Sequence, residues 1–197
     1  MNIEIRRLTP ELVEDYVSFF DTTPHADNRD EHRCYCVWWC NDDYEGKDFT
    51  SSVERRRDYA IHYVKGNNIQ GYLAYCEGKV VGWCNANTRA DCLKCYCWRR
   101  FMGFVPIEES TPDAKVKSVF CFAIAPEMRR MGVAKLLLER VFQDAIRDGF
   151  DSVEAYPMKE FISEAEDFVG PAELYRRSGF AVHYETDRQF VMRKQLK

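Results

Sequence analysis

The chain has 197 residues, of which 46% are hydrophobic and 30% are charged, and its formal net charge is −4. This length fits one domain that buries a core without disulfides or a structural metal. A mildly acidic chain lacks the broad basic surface that binds a phosphate backbone, so nucleic acid is not an expected partner. No apolar run approaches the roughly 18 residues that span a bilayer, and the N-terminus has no signal-peptide core. We therefore expect a cytoplasmic protein with no membrane partner.

The first half of the chain predicts a strand, two helices and a hairpin. Ile3–Arg7 alternates apolar and charged side chains, as a strand does. Thr9-Pro10 begins a helix, with Thr as the N-cap and Pro in the first turn. A second helix starts at Ser51-Ser52 and ends at Gly66. A glycine-bearing turn between GYLAYC (71–76) and VVGWCNA (80–86) then predicts a β-hairpin.

The second half predicts a buried strand, a helix and a set of shorter elements. VKSVFCFAIAP (116–126) is apolar and rich in β-branched residues, as a central strand is. The other predicted elements are a helix over 133–147, a strand over 152–157, a short helix over 171–178, and strands over 180–184 and 189–192. This order predicts a mixed α/β layer architecture in one domain over 1–197. Two irregular segments, about 24–50 and 88–114, interrupt it.

The segment VFCFAIAPEMRRMGVAK (119–135) carries the clearest chemical signal. It predicts a buried strand, a turn, and a helix whose first N–H groups have no intrahelical partner. Those groups and the helix dipole favour a phosphate or pyrophosphate. Gly132 and Ala134 let the backbone approach such a ligand closely, while Arg129 and Arg130 add positive charge.

Two patterns in the chain resemble signatures of the GNAT (Gcn5-related N-acetyltransferase) superfamily. Arg129-x-x-Gly132-x-Ala134 is similar to its Gln/Arg-x-x-Gly-x-Gly/Ala motif. Leu174-Tyr175-x-x-x-Gly179-Phe180 resembles its Leu-Tyr-x-x-x-Gly-Phe motif. The resemblance covers the chain apart from the two irregular segments. It implies the α/β GNAT fold, a mixed, mostly antiparallel central sheet with splayed strands and flanking helices.

The resemblance implies that acetyl-CoA is the cosubstrate and that no metal is needed. Its pyrophosphate would bind the main-chain N–H groups of one turn, and its pantetheine would lie along the central strand. The implied cofactor-binding residues are Arg129, Arg130, Met131, Gly132, Val133, Ala134 and Lys135 at the turn, and Phe122, Ala123 and Ile124 on the strand. The Phe122 N–H would stabilise the oxyanion that develops from the thioester.

The resemblance also implies acid–base roles. Tyr175 occupies the place from which a family tyrosine protonates the departing thiolate, although it could instead pack under Gly179-Phe180. Where some relatives carry a glutamate base this chain has Ser118, so Glu154 on the next strand is the leading substitute, acting through water. The alternatives are His183 as the base, and Glu154 as a solvated strand residue.

The irregular segments hold aromatic residues and two cysteine clusters. In this fold the first loop helps to form the acceptor pocket, so Tyr35, Trp38 and Trp39 are candidate substrate-binding residues. Tyr44 and the acidic residues Asp42, Asp43 and Glu45 would suit a cationic amine. The alternative is an aromatic plug over the core. Cysteines 34, 36 and 40 and cysteines 92, 95 and 97 are most simply reduced thiols, with zinc binding or redox sensing as alternatives.

These features predict an enzyme that acetylates a primary amine, most simply that of a small molecule. The amine would attack acetyl-CoA directly in a ternary complex. An acetyltransferase that acts on protein lysines or N-termini is one alternative, and a non-catalytic acyl-CoA sensor is another. Family members often dimerise; no residue here decides for or against a homodimer.

Overall fold

The computed structural model describes residues 2–40, 52–106 and 114–197, and in this part of the chain seven strands form one sheet. The strands are β1 (Ile3–Arg7), β2 (Gly71–Cys76), β3 (Lys79–Thr88), β4 (Val116–Ile124), β5 (Ser152–Ala155), β6 (Ala181–Glu185) and β7 (Phe190–Gln195). The α-helices are α1 (Val13–Thr22), α2 (Val53–Lys65), α3 (Arg89–Cys92), α4 (Tyr96–Phe101), α5 (Val133–Arg147) and α6 (Ala172–Arg177). Among them, no helix is long and apolar enough to cross a bilayer.

The sheet is mixed and mostly antiparallel, as the family resemblance implies. Its strand order is β1-β2-β3-β4-β5-β7-β6, and only the β4–β5 pair in the described chain is parallel. Helices cover both faces. Gly82 and Trp83 are consecutive in β3 and so point to opposite faces. Trp83 packs edge-on against Tyr16 of α1 at 4.8 Å, whereas a Cβ on Gly82 would meet Val133 of α5.

The sheet opens in the middle, beside β4. Residues Val116–Val119 of β4 pair with β5, but the rest of the strand pairs with β3 alone. Asn85 lies opposite Cys121 and Ala86 lies opposite Val119, so Phe120 is the extra residue of a β-bulge. Bulges redirect the side chains that follow them and are common beside active sites. The splayed strands implied by the resemblance are therefore present, with a bulge at the point of divergence.

The two segments expected to be irregular contain short helices. The first holds 3-10 turns over Asp30–His32 and Val37–Trp39, and the second holds α3 and α4. The Cys95 sulfur caps α4 by accepting the Trp98 N–H at 3.4 Å. Elements of three to six residues are too short to show an apolar period, which is why the sequence pattern missed them.

Lys117 of β4 is a buried lysine whose effect on the stability of the fold can be measured. It is buried, its Nζ donates to Gln70 Oε1 at 2.9 Å, and burial together with repulsion from Arg7 lowers its pKa to about 8. Because burial of the charged lysine destabilises the native state, we expect Lys117→Met to stabilise the fold by about 1–3 kcal/mol at neutral pH.

The native lysine loses its proton above about pH 8, whereas the unfolded one keeps it until roughly pH 10.4. The advantage of the Lys117→Met variant should therefore shrink between these values, because only the wild type gains stability there. Urea denaturation at several pH values measures this, with Lys115→Met on the exposed neighbouring position as control. A pH-independent difference would contradict a buried, titrating Lys117.

Candidate active site

A cavity of about 780 Å³ lies at the open end of β4. Its walls come from the chain that follows α1, the turn at Val37–Trp39, helix α4, the end of β4 and the segment before α6. It is lined mainly by aromatic, aliphatic and thiol side chains. The site is thus built from elements distant in sequence that meet where the sheet splays.

One end of this cavity reaches the N-terminus of α5. Gly132 caps the helix in the left-handed conformation with φ +86°, and Arg130 also has a positive φ of +61°. Leu136 donates to the Gly132 carbonyl at 3.1 Å, whereas the N–H groups from residue 130 to 135 find no backbone acceptor in the described chain. Such a turn presents several donors and the positive end of the helix dipole to an anion.

The residues expected to bind the cofactor lie together around this turn and the adjoining strand. Arg129, Ala134 and the strand residues 122–124 line the cavity. Arg130, Met131, Gly132 and Lys135 are exposed at its edge, whereas the Val133 side chain is buried against β3. Val133 can therefore contribute only its main chain. The Arg129 guanidinium pairs with Glu164 and also donates to the Ile124 carbonyl at 3.3 Å.

The Phe122 N–H, expected to stabilise the oxyanion, already has a partner. It points into the gap between β4 and β5 and donates to the Phe168 carbonyl at 2.7 Å. A thioester oxygen at this N–H would have to replace that carbonyl. Phe168 itself lines the cavity, and no local sequence pattern indicates this contact.

The candidate acceptor residues divide into two groups. Trp38 and Trp39 line the cavity, and Trp39 also stacks on Phe120 with ring centroids 4.5 Å apart. Tyr35 is buried away from the cavity, and its hydroxyl donates to Asp21 at 2.6 Å. The predicted residues Asp42, Asp43, Tyr44 and Glu45 lie outside the described residues.

Cysteine sulfurs form part of the cavity wall next to β4. Cys34, Cys36, Cys97 and Cys121 line it, and all nine cysteines of the chain are free thiols. The Cys36 sulfur accepts a hydrogen bond from Asn85 Nδ2 at 3.2 Å. In the described chain, no three cysteines converge as a metal-binding group; the one group of three ligand-type side chains that does so is His25, Asp27 and His32.

These three residues form a hydrogen-bonded cluster at the cavity rim, which we missed in the sequence. Asp27 bonds to Nδ1 of His25 at 2.6 Å and to Nδ1 of His32 at 2.5 Å, and both histidines line the cavity. The hydrogen bonds from His32 and His25 hold the pKa of Asp27 well below its usual range. These are direct hydrogen bonds, closer than the spacing of ligands around a metal. The spacing His-x-Asp-x-x-x-x-His was a visible signal.

Comparisons with known proteins decide the family. The family described as Acetyltransferase (GNAT) family matches residues 33–180. The chain belongs to the GNAT acetyltransferases. This establishes the resemblance drawn from the two motifs. A search of curated proteins finds no significant match.

Solved acetyltransferase structures share the fold over nearly the whole chain at low sequence identity. The PaiA N-acetyltransferase from Thermoplasma acidophilum, in complex with coenzyme A, is 15% identical with a TM-score of 0.53, covering 99% of both chains. The YncA protein from Salmonella typhimurium, with acetyl-CoA, is 16% identical with a TM-score of 0.51, covering 99% of this chain and 94% of that one. A GNAT-family protein from Desulfovibrio desulfuricans is 12% identical with a TM-score of 0.55, covering 100% of both.

Tyr175 of this GNAT protein does not line the cavity. Its hydroxyl donates to the Val169 carbonyl at 2.5 Å, and its ring packs edge-on against Phe180 at 5.1 Å. It is fully buried, and burial raises its pKa well above the usual value. This geometry matches the packing alternative, and a proton-donor role, which stays a prediction, would require the bond to Val169 to break.

Glu154 of the GNAT sheet is also remote from the cavity. It is fully buried, and it pairs with Arg193 at 2.6 Å and with Arg89 at 3.3 Å. The Tyr156 hydroxyl donates to it at 2.8 Å and also bonds to Ser118 at 2.7 Å. Its role as a base stays a prediction that this arrangement does not favour. His183 lies exposed on β6 and does not line the cavity either.

Proposed function

We propose that this GNAT protein transfers the acetyl group of acetyl-CoA to the primary amine of a small molecule, by direct attack in a ternary complex. The observation that carries this proposal is the continuity of one cavity. It runs from the donor-rich turn before α5, past the open edge of β4, to the pocket walled by Trp38 and Trp39. Both substrates could occupy it at once.

The backbone of the site supports acetyl-CoA as the cosubstrate. In the described chain the N–H groups from 130 to 135 have no backbone acceptor, which suits a pyrophosphate, and the outer edge of β4 beyond Val119 pairs with no strand, which suits the amides of pantetheine. The Phe122 N–H would then exchange the Phe168 carbonyl for the thioester oxygen and stabilise its developing charge. The coenzyme A and acetyl-CoA held by the Thermoplasma and Salmonella proteins support the same cosubstrate here.

The part of the cavity walled by Trp38 and Trp39 favours an acceptor that is a small molecule with an aromatic or apolar body. Its walls are Trp38, Trp39, Phe20, Phe101 and Phe168. His25 and His32, which are hydrogen-bonded to Asp27, line the same cavity. Aromatic faces bind both apolar groups and cations, so an arylalkyl ammonium fits this chemistry. A folded protein would present its lysine on a long chain and leave these walls largely unused.

A matched amine panel tests the acceptor class. We expect 2-phenylethylamine to exceed n-hexylamine and a lysine-containing peptide in kcat/KM at saturating acetyl-CoA. A peptide that exceeds both amines would indicate a protein acetyltransferase. Binding of acetyl-CoA by calorimetry without transfer to any member of the panel would indicate an acyl-CoA sensor.

Trp39 should contribute to acceptor affinity. We expect Trp39→Leu to raise the KM for 2-phenylethylamine about tenfold, because a ring that lines the cavity is lost, and to leave the KM for acetyl-CoA unchanged. Trp98→Leu is the control, since Trp98 also packs on Phe120 but does not line the cavity. Equal effects of the two variants in steady-state kinetics would show that Trp39 acts only through the aromatic core.

A further inference from the structure

We propose that Cys36 is the general base of this acetyl transfer, taking a proton from the acceptor ammonium so that the free amine attacks acetyl-CoA. The inference rests on the proposed function and names a group in the same cavity. It supplies the base for which neither Ser118 nor Glu154 is placed.

The first support is the position of the sulfur. Cys36 lines the cavity immediately before the turn that carries Trp38 and Trp39. Asn85 Nδ2 donates to its sulfur, and Asn85 lies directly opposite Cys121, which lines the same cavity and precedes Phe122 on β4. The sulfur therefore lies between the acceptor walls and the N–H expected to hold the thioester oxygen.

The second support is a convergence of donors on that sulfur. Asn85 is fully buried, and its orientation is fixed because its Oδ1 accepts Asn87 Nδ2 at 2.7 Å, which leaves its own amide to donate to Cys36. The Trp83 indole N–H is fully buried and finds no well-aligned acceptor in the described chain, yet it faces the same sulfur. Buried donors without an acceptor are costly, so this arrangement favours an anion.

The backbone holds Cys36 in an uncommon conformation. Tyr35 and Cys36 are consecutive left-handed residues with φ of +46° and +52°. Two hydrogen bonds anchor the segment: Tyr16 donates to the Tyr35 carbonyl and Arg56 donates to the Arg33 carbonyl, both at 2.6 Å. Strain of this kind persists when surrounding contacts impose it, and it is concentrated at functional sites.

The titration of the pair agrees with this geometry. Burial alone would raise the pKa of Cys36, but the donor groups of Cys121, Trp83 and Asn85 around its sulfur outweigh it and lower the pKa below the ordinary thiol value. The hydrogen bond to Cys36 raises the pKa of Cys121 well above that value, so Cys121 keeps its proton. Of the two thiols, Cys36 is therefore the one whose deprotonation its surroundings favour.

The other titratable groups around the sulfur stay neutral. They are Tyr16 from α1, Cys84 from β3, Cys97 from α4, and Cys34 and Cys40 from the same loop. Burial raises the pKa of each of them. No arginine or lysine contributes to the shift at Cys36. Uncharged dipoles therefore hold the thiolate, which leaves it able to accept a proton.

The proton balance of the step is simple. The ammonium gives one proton to the Cys36 sulfur, and the nitrogen then bonds to the acetyl carbon. As the bond from that carbon to the coenzyme A sulfur breaks, this sulfur takes the second nitrogen proton. The third stays on the amide, and Cys36 returns its proton to solvent.

A titration tests the charge on Cys36 independently of any substrate. We expect the thiolate ultraviolet absorbance of wild type minus Cys36→Ser to show one thiolate at neutral pH, which disappears on acidification. A difference signal that appears only above about pH 8.5, where an ordinary thiol ionises, would overturn the inference.

A pair of amines tests the role. 2-Phenylethylamine is protonated at neutral pH and needs a base, whereas phenylhydrazine is largely unprotonated and does not. We expect Cys36→Ser to lower kcat for the first about 100-fold and to change kcat for the second by less than about threefold. Cys92→Ser, at a buried cysteine outside the cavity wall, is the control and should leave both unchanged.

The other outcomes separate the two proposals. Equal losses of kcat with both amines would mean that Cys36 has a merely structural role. An acetyl adduct on Cys36, detected by intact mass, would mean that it is a nucleophile. Either result overturns the inference. The same holds if Asp27→Asn, and not Cys36→Ser, removes the basic group from the pH–rate profile. If wild type acetylates no amine, the proposed function fails, and the absorbance titration still decides the state of Cys36.

Discussion

Replacing Gly132 with glutamate is expected to weaken acetyl-CoA binding at least about 100-fold, or about 2.7 kcal/mol. Gly132 has φ +86°, a conformation that costs a side chain roughly 1–2 kcal/mol. The new carboxylate would also stand at the N-terminus of α5, among the N–H groups proposed to bind the pyrophosphate. It would repel the negatively charged coenzyme, and it would itself interact with the positive end of the helix dipole in place of the pyrophosphate. Isothermal calorimetry with acetyl-CoA measures the loss.

The other end of the same helix offers a matched control. Gly149 follows α5 with φ +75° and, like Gly132, has open space where a side chain would begin. Gly149→Glu therefore introduces the same charge and similar backbone strain, far from the proposed pyrophosphate site. We expect it to bind acetyl-CoA like the wild type. Equal weakening in both variants would mean that strain in α5, and not the anion site, explains the effect.

Replacing Glu154 with alanine is expected to destabilise the fold by about 3–5 kcal/mol, because two buried guanidinium groups lose their counter-ion. Arg193 donates to Glu154 through Nε at 2.8 Å and through Nη2 at 2.6 Å, and Arg89 lies within 3.3 Å. All three side chains are nearly inaccessible to solvent. Urea denaturation of the purified protein measures the change in the free energy of unfolding.

An exposed ion pair provides the comparison for Glu154. Glu173 pairs with Arg177 at 2.8 Å on the surface of α6, and both side chains are more than half exposed. Glu173→Ala should change stability little, since solvent screens such pairs. A Glu154→Ala variant as stable as Glu173→Ala would contradict a buried ionic network. Loss of turnover in a stably folded Glu154→Gln variant would instead support Glu154 as the base.

Local patterns were enough to predict the strands, the longer helices and the turn before α5. The N-cap at Ser52, which accepts the Arg55 N–H at 3.1 Å, and the left-handed Gly132 both act over a few residues and leave a direct trace in the sequence. The family motif extended these predictions to the splayed strands. The bulge at Phe120 left no such trace, because it exists only in the pairing of β4 with β3.

The acid–base groups were harder to predict because their environments are tertiary. The resemblance put Tyr175 at the place of a family tyrosine and left Glu154 as a substitute base on the strand next to Ser118. In the fold both are buried and bonded to partners outside the cavity, Val169 and Arg193. Cys36 belonged to a cluster that we interpreted as reduced thiols, with zinc binding or redox sensing as alternatives. Its significance depends on Asn85 and Cys121, which lie 49 and 85 residues further along the chain and face each other across two strands.

The most direct test of the central claim is a single turnover with isotopically labelled acetyl-CoA and 2-phenylethylamine, followed by mass spectrometry of the amine and of the intact protein. We expect the labelled acetyl group to appear on the amine nitrogen and the protein to carry none at any time. Labelled acetyl-CoA that is bound yet never yields an acetylated amine, from this or any other acceptor of the panel, would contradict it.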